Sequence, residues 1–155
     1  MRIILIALFS LFTSVTFANF KIGDSTTLKT TFDFGDGNLE VTYLKQTIIK
    51  VEPGRALIES SDVTISGEVI GESYQDWENT DEIVSKEDGM NTVKNCNLLD
   101  GTTEKLNTAI GNILTCKTVT EDSTVWVGPV LFGVVKVIRQ SDEFSFTTEI
   151  VSQSN

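Results

Sequence analysis

The chain has 155 residues, 12 Lys and Arg against 22 Asp and Glu for a formal net charge of −10, and no His. Without imidazole there is no Ser-His-Asp or Cys-His catalysis, and the commonest zinc ligand is missing. The acidic excess repels phosphate backbones and anionic headgroups, which argues against nucleic-acid binding and keeps a strand-rich chain from self-associating.

Met1 to Ala18 (MRIILIALFSLFTSVTFA) sets Arg2 ahead of the apolar run Ile3 to Phe12 and ends in Thr16-Phe17-Ala18. That layout predicts a secretory signal peptide cleaved after Ala18. The run falls short of the roughly 20 apolar residues of a membrane span. Later apolar stretches are all interrupted by Asp, Glu, Lys or Gly, so no integral membrane segment is expected after cleavage. Taking 18 residues from 155 leaves 137, one β-rich domain over 19–155. Loss of Arg2 leaves 11 basic residues against 22 acidic ones, a formal −11. A short basic leader and the absence of any N-x-[ST] site point to a bacterial periplasm.

Thr26 to Phe34 alternates, and Gly35-Asp36-Gly37-Asn38 supplies a hairpin turn. Leu39 to Val51 follows, with Leu39, Val41 and Tyr43 on one side and Glu40, Thr42 and Leu44 on the other. Pro53-Gly54 turns the chain into Arg55 to Ser61. Asp62 to Ile70 then alternates at Val63, Ile65, Gly67 and Val69, where Gly67 suggests a bulge or bend. Gly71 to Met90 is acidic, with Trp77 at its middle, and reads as a connection with partial helix around Trp77 to Lys86. Its D-x-E-x-x-D-E run from Asp76 to Glu82 lacks the alternating ligands and central Gly of an EF-hand. It reads as a solvated acidic face, and no metal or cofactor is expected.

Strand character returns at Thr92 to Asn97, which holds Cys96, then at Glu104 to Ile110 and Ile113 to Val119, which holds Cys116. An even cysteine pair in an exported chain predicts the disulfide Cys96–Cys116, since no C-x-x-C spacing supports a redox or metal pair. Ser123 to Val127, Val130 to Ile138 and Phe144 to Val151 complete the run, with turns at Gly128-Pro129 and 140–143. About nine or ten short strands with frequent turns predict a mainly β fold. The expected form is a single curved antiparallel sheet, half-barrel or barrel-like, with little helix.

The stretch Thr124 to Lys136 (TVWVGPVLFGVVK) reads as a Trp ending one strand, a Gly-Pro corner, and a core strand with Gly133 at its centre. It also resembles a pattern in uncharacterised secreted bacterial β-proteins: a Trp, then V-P-(F/Y/L)-G, then V-V-K. There a G-x-(F/I)-x-(T)-C strand precedes it, matched here by Gly111, Ile113, Thr115 and Cys116. Those families are similar in architecture to the LolA/LolB-like half-barrels, whose curved sheet wraps an apolar cavity. The resemblance implies that fold over Cys96 to Val151. Two departures stand out: Val130-Leu131 separates Pro129 from Phe132, and the acidic 71–90 segment differs from the apolar helices that plug lipoprotein carriers.

Three functions follow from these residues. A binding module would hold an apolar small molecule on a concave face through Trp126, Phe132, Phe144 and Phe146, drawn from a supply that includes Phe32, Phe34, Leu44 and Ile48. An interaction protein or inhibitor would meet an envelope partner through Trp77, Asp76 and Glu78. An enzyme without His would need a carboxylate pair, and no spacing singles one out. The expectation is an exported binding protein and no catalytic residues.

Overall fold

The computed structural model describes residues 20–35, 37–141 and 144–154. The leader and three residues of the expected turns, Asp36, Asp142 and Glu143, lie outside the described residues. The rest builds one antiparallel sheet of nine strands, curved and not closed. The strands are β1 (Ser25–Asp33), β2 (Leu39–Glu52), β3 (Arg55–Asp62), β4 (Tyr74–Asn79), β5 (Thr102–Thr108), β6 (Gly111–Val119), β7 (Ser123–Val127), β8 (Val134–Gln140) and β9 (Ser145–Ser154). Their order across the sheet is β4-β3-β2-β1-β9-β8-β7-β6-β5. Two meanders, each of adjacent antiparallel strands, therefore meet where β1 pairs with β9. One long connection, residues 80–101, carries the chain from one sheet edge to the other.

That connection holds helix α1 (Lys86–Lys94) and a short 3-10 turn (Cys96–Leu99). Ser85 starts α1: its hydroxyl accepts the Asp88 N–H at 3.1 Å, and the Asp88 carboxylate accepts the Ser85 N–H at 3.0 Å. This reciprocal capping box satisfies two backbone donors that would otherwise be unpaired at the helix start. The helix rests on the corner between β7 and β8. A Cβ built on Gly89 would stand 1.9 Å from the Gly128 carbonyl oxygen, so only Gly fits there. Cys96 and Cys116 form a disulfide with a Cα separation of 5.4 Å, which ties the connection to β6.

Two apolar clusters hold the molecule together. Ile83 of the connection and Leu131 of the β7–β8 turn pack on Ile48, Ala56 and Ile58, with Phe20 and Phe132 against them. Ile113, Trp126, Val130, Val135 and Ile150 form the second, flanked by Leu28, Leu106 and Ile138. Buried polar groups in these regions find partners. The Thr26 hydroxyl donates to the Leu131 carbonyl at 3.3 Å, and the Leu131 N–H donates to Gln153 Oε1 at 3.3 Å.

The structure corrects four expected elements. Asp62 to Ile70 is no ladder strand: Val63 and Val69 make an isolated bridge, and Gly67, at φ +88°, turns the chain between them. Trp77 lies in strand β4, and the helix comes later, at Lys86–Lys94. The expected strand at Thr92 to Asn97 is instead the end of that helix and the start of the 3-10 turn. Residues 128–133 form a closed turn, with the Gly128 N–H donating to the Gly133 carbonyl at 2.9 Å, so β8 begins only at Val134. Two positive φ values bend this turn, +63° at Phe132 and +71° at Gly133. A Cβ on Gly133 would also meet Val84 Cγ1 at 2.6 Å.

Candidate functional site

Cross-strand register shows which side chains share a face, because direct partners point the same way and neighbours along a strand alternate. One face carries the row Leu44–Leu28–Ile150 and, beside it, Thr42–Thr30–Thr148–Val137–Val125. The next row is Glu40–Phe32–Phe146–Arg139. The same face holds Ile48, Ile58 and Ala56 at its other end, where Ile83 and Leu131 cover them. One half of the face is thus filled from within, and the other half is open.

The open half ends in a file of four phenyl rings. Phe34 and Phe32 are 6.3 Å apart between centroids, Phe32 and Phe146 5.9 Å, and Phe146 and Phe144 6.4 Å. The first and last pairs lie near parallel, at 16° and 18°. Phe34 keeps 48% of its surface exposed, Phe144 37% and Leu44 36%. Inside this region the Thr30 and Thr148 hydroxyls lie 2.9 Å apart and bond to each other. Arg139, at the side of the file, is paired with Asp122 at 2.9 Å. Phe34, Phe144 and Leu44 are left facing solvent, a surface suited to an apolar ligand.

The expected ligand residues do not share one surface. Phe144 and Phe146 belong to the file, and Phe32, Phe34 and Leu44 join them. Phe132 sits in the β7–β8 turn against the covered cluster. Trp126 points to the opposite face, in the row Tyr43–Lys29–Glu149–Lys136–Trp126–Lys117. It is 6% exposed, donates its indole N–H to Glu104, and lies under the ammonium groups of Lys117 and Lys136 at 5.3 Å and 5.8 Å. Its surroundings are those of a packed core residue.

The expected interaction residues also separate. Trp77 pairs with Leu57, whereas Asp76 and Glu78 pair with Ile58 and Ala56 and point to the other face. Trp77 instead packs with cations: the Arg55 guanidinium is 4.3 Å and Lys50 Nζ 5.5 Å from its ring. Glu52 joins both, at 2.7 Å to Lys50 and 2.6 Å to Arg55. Hydrogen bonds from Lys50 and then Arg55 hold the Glu52 carboxyl below its ordinary range. Among the described residues no group of three or more His, Cys, Asp or Glu stands where it could hold a metal ion.

No family model matches this sequence, and no curated protein does. Solved structures do resemble it. One is a protein described as exported, with a YmcC-like fold, from Bacteroides fragilis: 11% identical, TM-score 0.51, covering 87% of this chain and 97% of that one. Another, described as a domain of an outer membrane lipoprotein-sorting protein from Vibrio parahaemolyticus, is 6% identical with a TM-score of 0.31, over 85% of each chain. The first likeness shows a shared fold; the second is too remote to add to it. The curved, open antiparallel sheet implied by Thr124 to Lys136 is the architecture the strands build.

Proposed function

We propose that this chain is an exported binding protein that holds an apolar, lipid-like ligand against the open half of the sheet. In this reading residues 1–18 are removed as a signal peptide, and 19–155 acts as one disulfide-linked domain in the periplasm. The observation that carries it is the file Phe34–Phe32–Phe146–Phe144, set beside Leu28 and Leu44 on a face whose other half is already filled. A ligand lying there removes apolar surface from water. The likeness to a protein described as exported agrees with the leader. With no imidazole in the chain and no carboxylate pair singled out, binding is a better account than turnover.

The test is titration with a fluorescent fatty acid. The double variant Phe34→Ser, Phe144→Ser should bind about tenfold more weakly or worse, each side chain losing buried area worth about 1–2 kcal/mol. Ile65→Ser, an equally apolar but remote exposed residue, should bind as the parent does. Parent protein that takes up no probe, or a double variant that binds it undiminished, contradicts the proposal.

A further inference from the structure

A second surface, remote from the phenylalanine file, has its own chemistry. Between the entry segment at Phe20 and helix α1 lies a cavity of about 490 Å³, within the roughly 300–1,000 Å³ range of small-molecule sites. Phe20, Met90 and Leu131 give it an apolar lining, and Lys21, Lys86 and Lys94 stand around it. Two carboxylates also line it. Asp24 Oδ2 accepts the Lys21 backbone N–H at 2.9 Å, and Glu87 is exposed in the first turn of α1, so three lysines face two carboxylates around the cavity.

The lysines are the informative part. In this acidic protein Lys29, Lys50, Arg55, Lys117 and Arg139 are ion-paired, and Lys136 lies over Trp126. Among the described residues that leaves Lys21, Lys45, Lys86, Lys94 and Lys105 without an ion pair or ring contact, and three of those five line this one cavity. Lys86, Met90 and Lys94 follow one another at four-residue steps, so they share one side of α1. Lys86 opens the helix, where a cation opposes the positive end of the helix dipole. Helix stability therefore does not account for it, and a bound anion would offset that cost. The helix start is itself closed by Ser85 and Asp88, so the anion would meet the lysine side chains and not free backbone donors.

We infer that this cavity binds the carboxylate head of a single-chain amphiphile. The head lies among Lys21, Lys86 and Lys94, and the first carbons of the chain lie over Phe20, Met90 and Leu131. A compact ammonium group suits a carboxylate as a point charge, and the apolar lining selects an alkyl chain over a free inorganic anion. This inference does not rest on the function proposed for the sheet face.

Decanoate titration followed by methyl NMR tests it on the purified, oxidised protein. The Met90 and Leu131 methyl signals should shift and saturate. The double variant Lys86→Glu, Lys94→Glu should weaken binding by about tenfold or more, and Lys45→Glu should leave it unchanged. Decanol, which has the same chain and no charge, should bind the parent protein about tenfold more weakly, a comparison that needs no variant. Equal affinity for decanol and decanoate overturns the inference, as does a charge-reversed variant that binds undiminished. Shifts at Leu28 and Leu44 without shifts at Met90 and Leu131 overturn it too, while supporting the sheet-face reading.

Discussion

Replacing Gly89 by Ala reverses the usual sign of a helix substitution, which makes it a sharp test of how α1 is seated. In an exposed helix interior the change from Gly to Ala stabilises by about 1 kcal/mol. Here the new methyl carbon would stand 1.9 Å from the Gly128 oxygen, 2.7 Å from its carbonyl carbon and 3.1 Å from Pro129 Cα, all nearer than the 3.4 Å at which ordinary contact begins. These are backbone atoms and cannot rotate away. The Gly128 N–H donates to Gly133 at 2.9 Å, and its oxygen accepts from Val130 at 2.8 Å. The helix must therefore lift from the corner, loosening Ile83 and Leu131 over Ile48. A clash this close with backbone lies at the upper end of the about 1–3 kcal/mol that overpacking costs, so after the propensity gain of about 1 kcal/mol the net loss is about 2 kcal/mol. Urea unfolding followed by tryptophan fluorescence measures it as a lowered midpoint at unchanged slope. A raised midpoint in Gly89→Ala would show that the helix does not rest on that corner, and the packing described for the connection would be wrong.

Other outcomes follow from the same contacts. Reducing the Cys96–Cys116 bond, or replacing both residues by Ser, frees a loop with a sequence separation of 20. Stability should fall by about 3 kcal/mol in the chain-entropy account, read from the urea midpoint; an unchanged midpoint would leave the bond no structural role. Glu52 should titrate below its ordinary value of 4.5 because Lys50 and Arg55 bind its charged form. Its contribution is then present above that value and is lost as pH falls through the lowered one. Glu52→Gln should accordingly be slightly less stable than the parent at neutral pH, and the difference should vanish once pH falls below the lowered value. Carbon-detected NMR of the carboxyl gives the titration directly, and a midpoint at or above 4.5 would contradict the pairing.

β1, β2, β3, β6 and β7 were legible because alternating and β-branched residues run between turn signals such as Gly35 to Asn38 and Pro53-Gly54, and in β3 the buried Ala56 and Ile58 alternate with more exposed neighbours. β4 was not legible. Tyr74 to Asn79 forms a sheet edge with little burial on either side, so no apolar contrast marks it as a strand. Helix α1 escaped because its only buried residue is Gly89, which leaves no apolar stripe. The signal that could have found it was Ser85 three residues before Asp88, the two ends of a capping box. Val130-Leu131 was apolar enough to look like strand, yet Pro129 lacks an N–H and Gly128 and Gly133 bracket it, the marks of a tight turn.

The candidate site was half legible. Phe32 with Phe34, and Phe144 with Phe146, could each be assigned to a common side from their spacing alone. Their union depends on β1 pairing with β9, which joins residues as far apart as Thr30 and Thr148, 118 positions along the chain. No local pattern states that pairing. The side taken by Trp126 was hidden in the same way, because a register shift between Trp126 and Val127 interrupts the ladder beside it. Trp77 and its neighbouring carboxylates looked like one cluster only while the segment was read as loop or helix; in a strand, adjacent residues must part.

The most direct test is to locate an alkyl chain on the protein by NMR, using phenylalanine-labelled material and a saturating unlabelled lipid. Close contacts from the chain's methylene protons to the rings of Phe32, Phe34, Phe144 and Phe146 are the predicted result. A bound chain whose contacts avoid all four rings, or a ring spectrum unmoved by lipid, would contradict a ligand-binding role for the open half of the sheet.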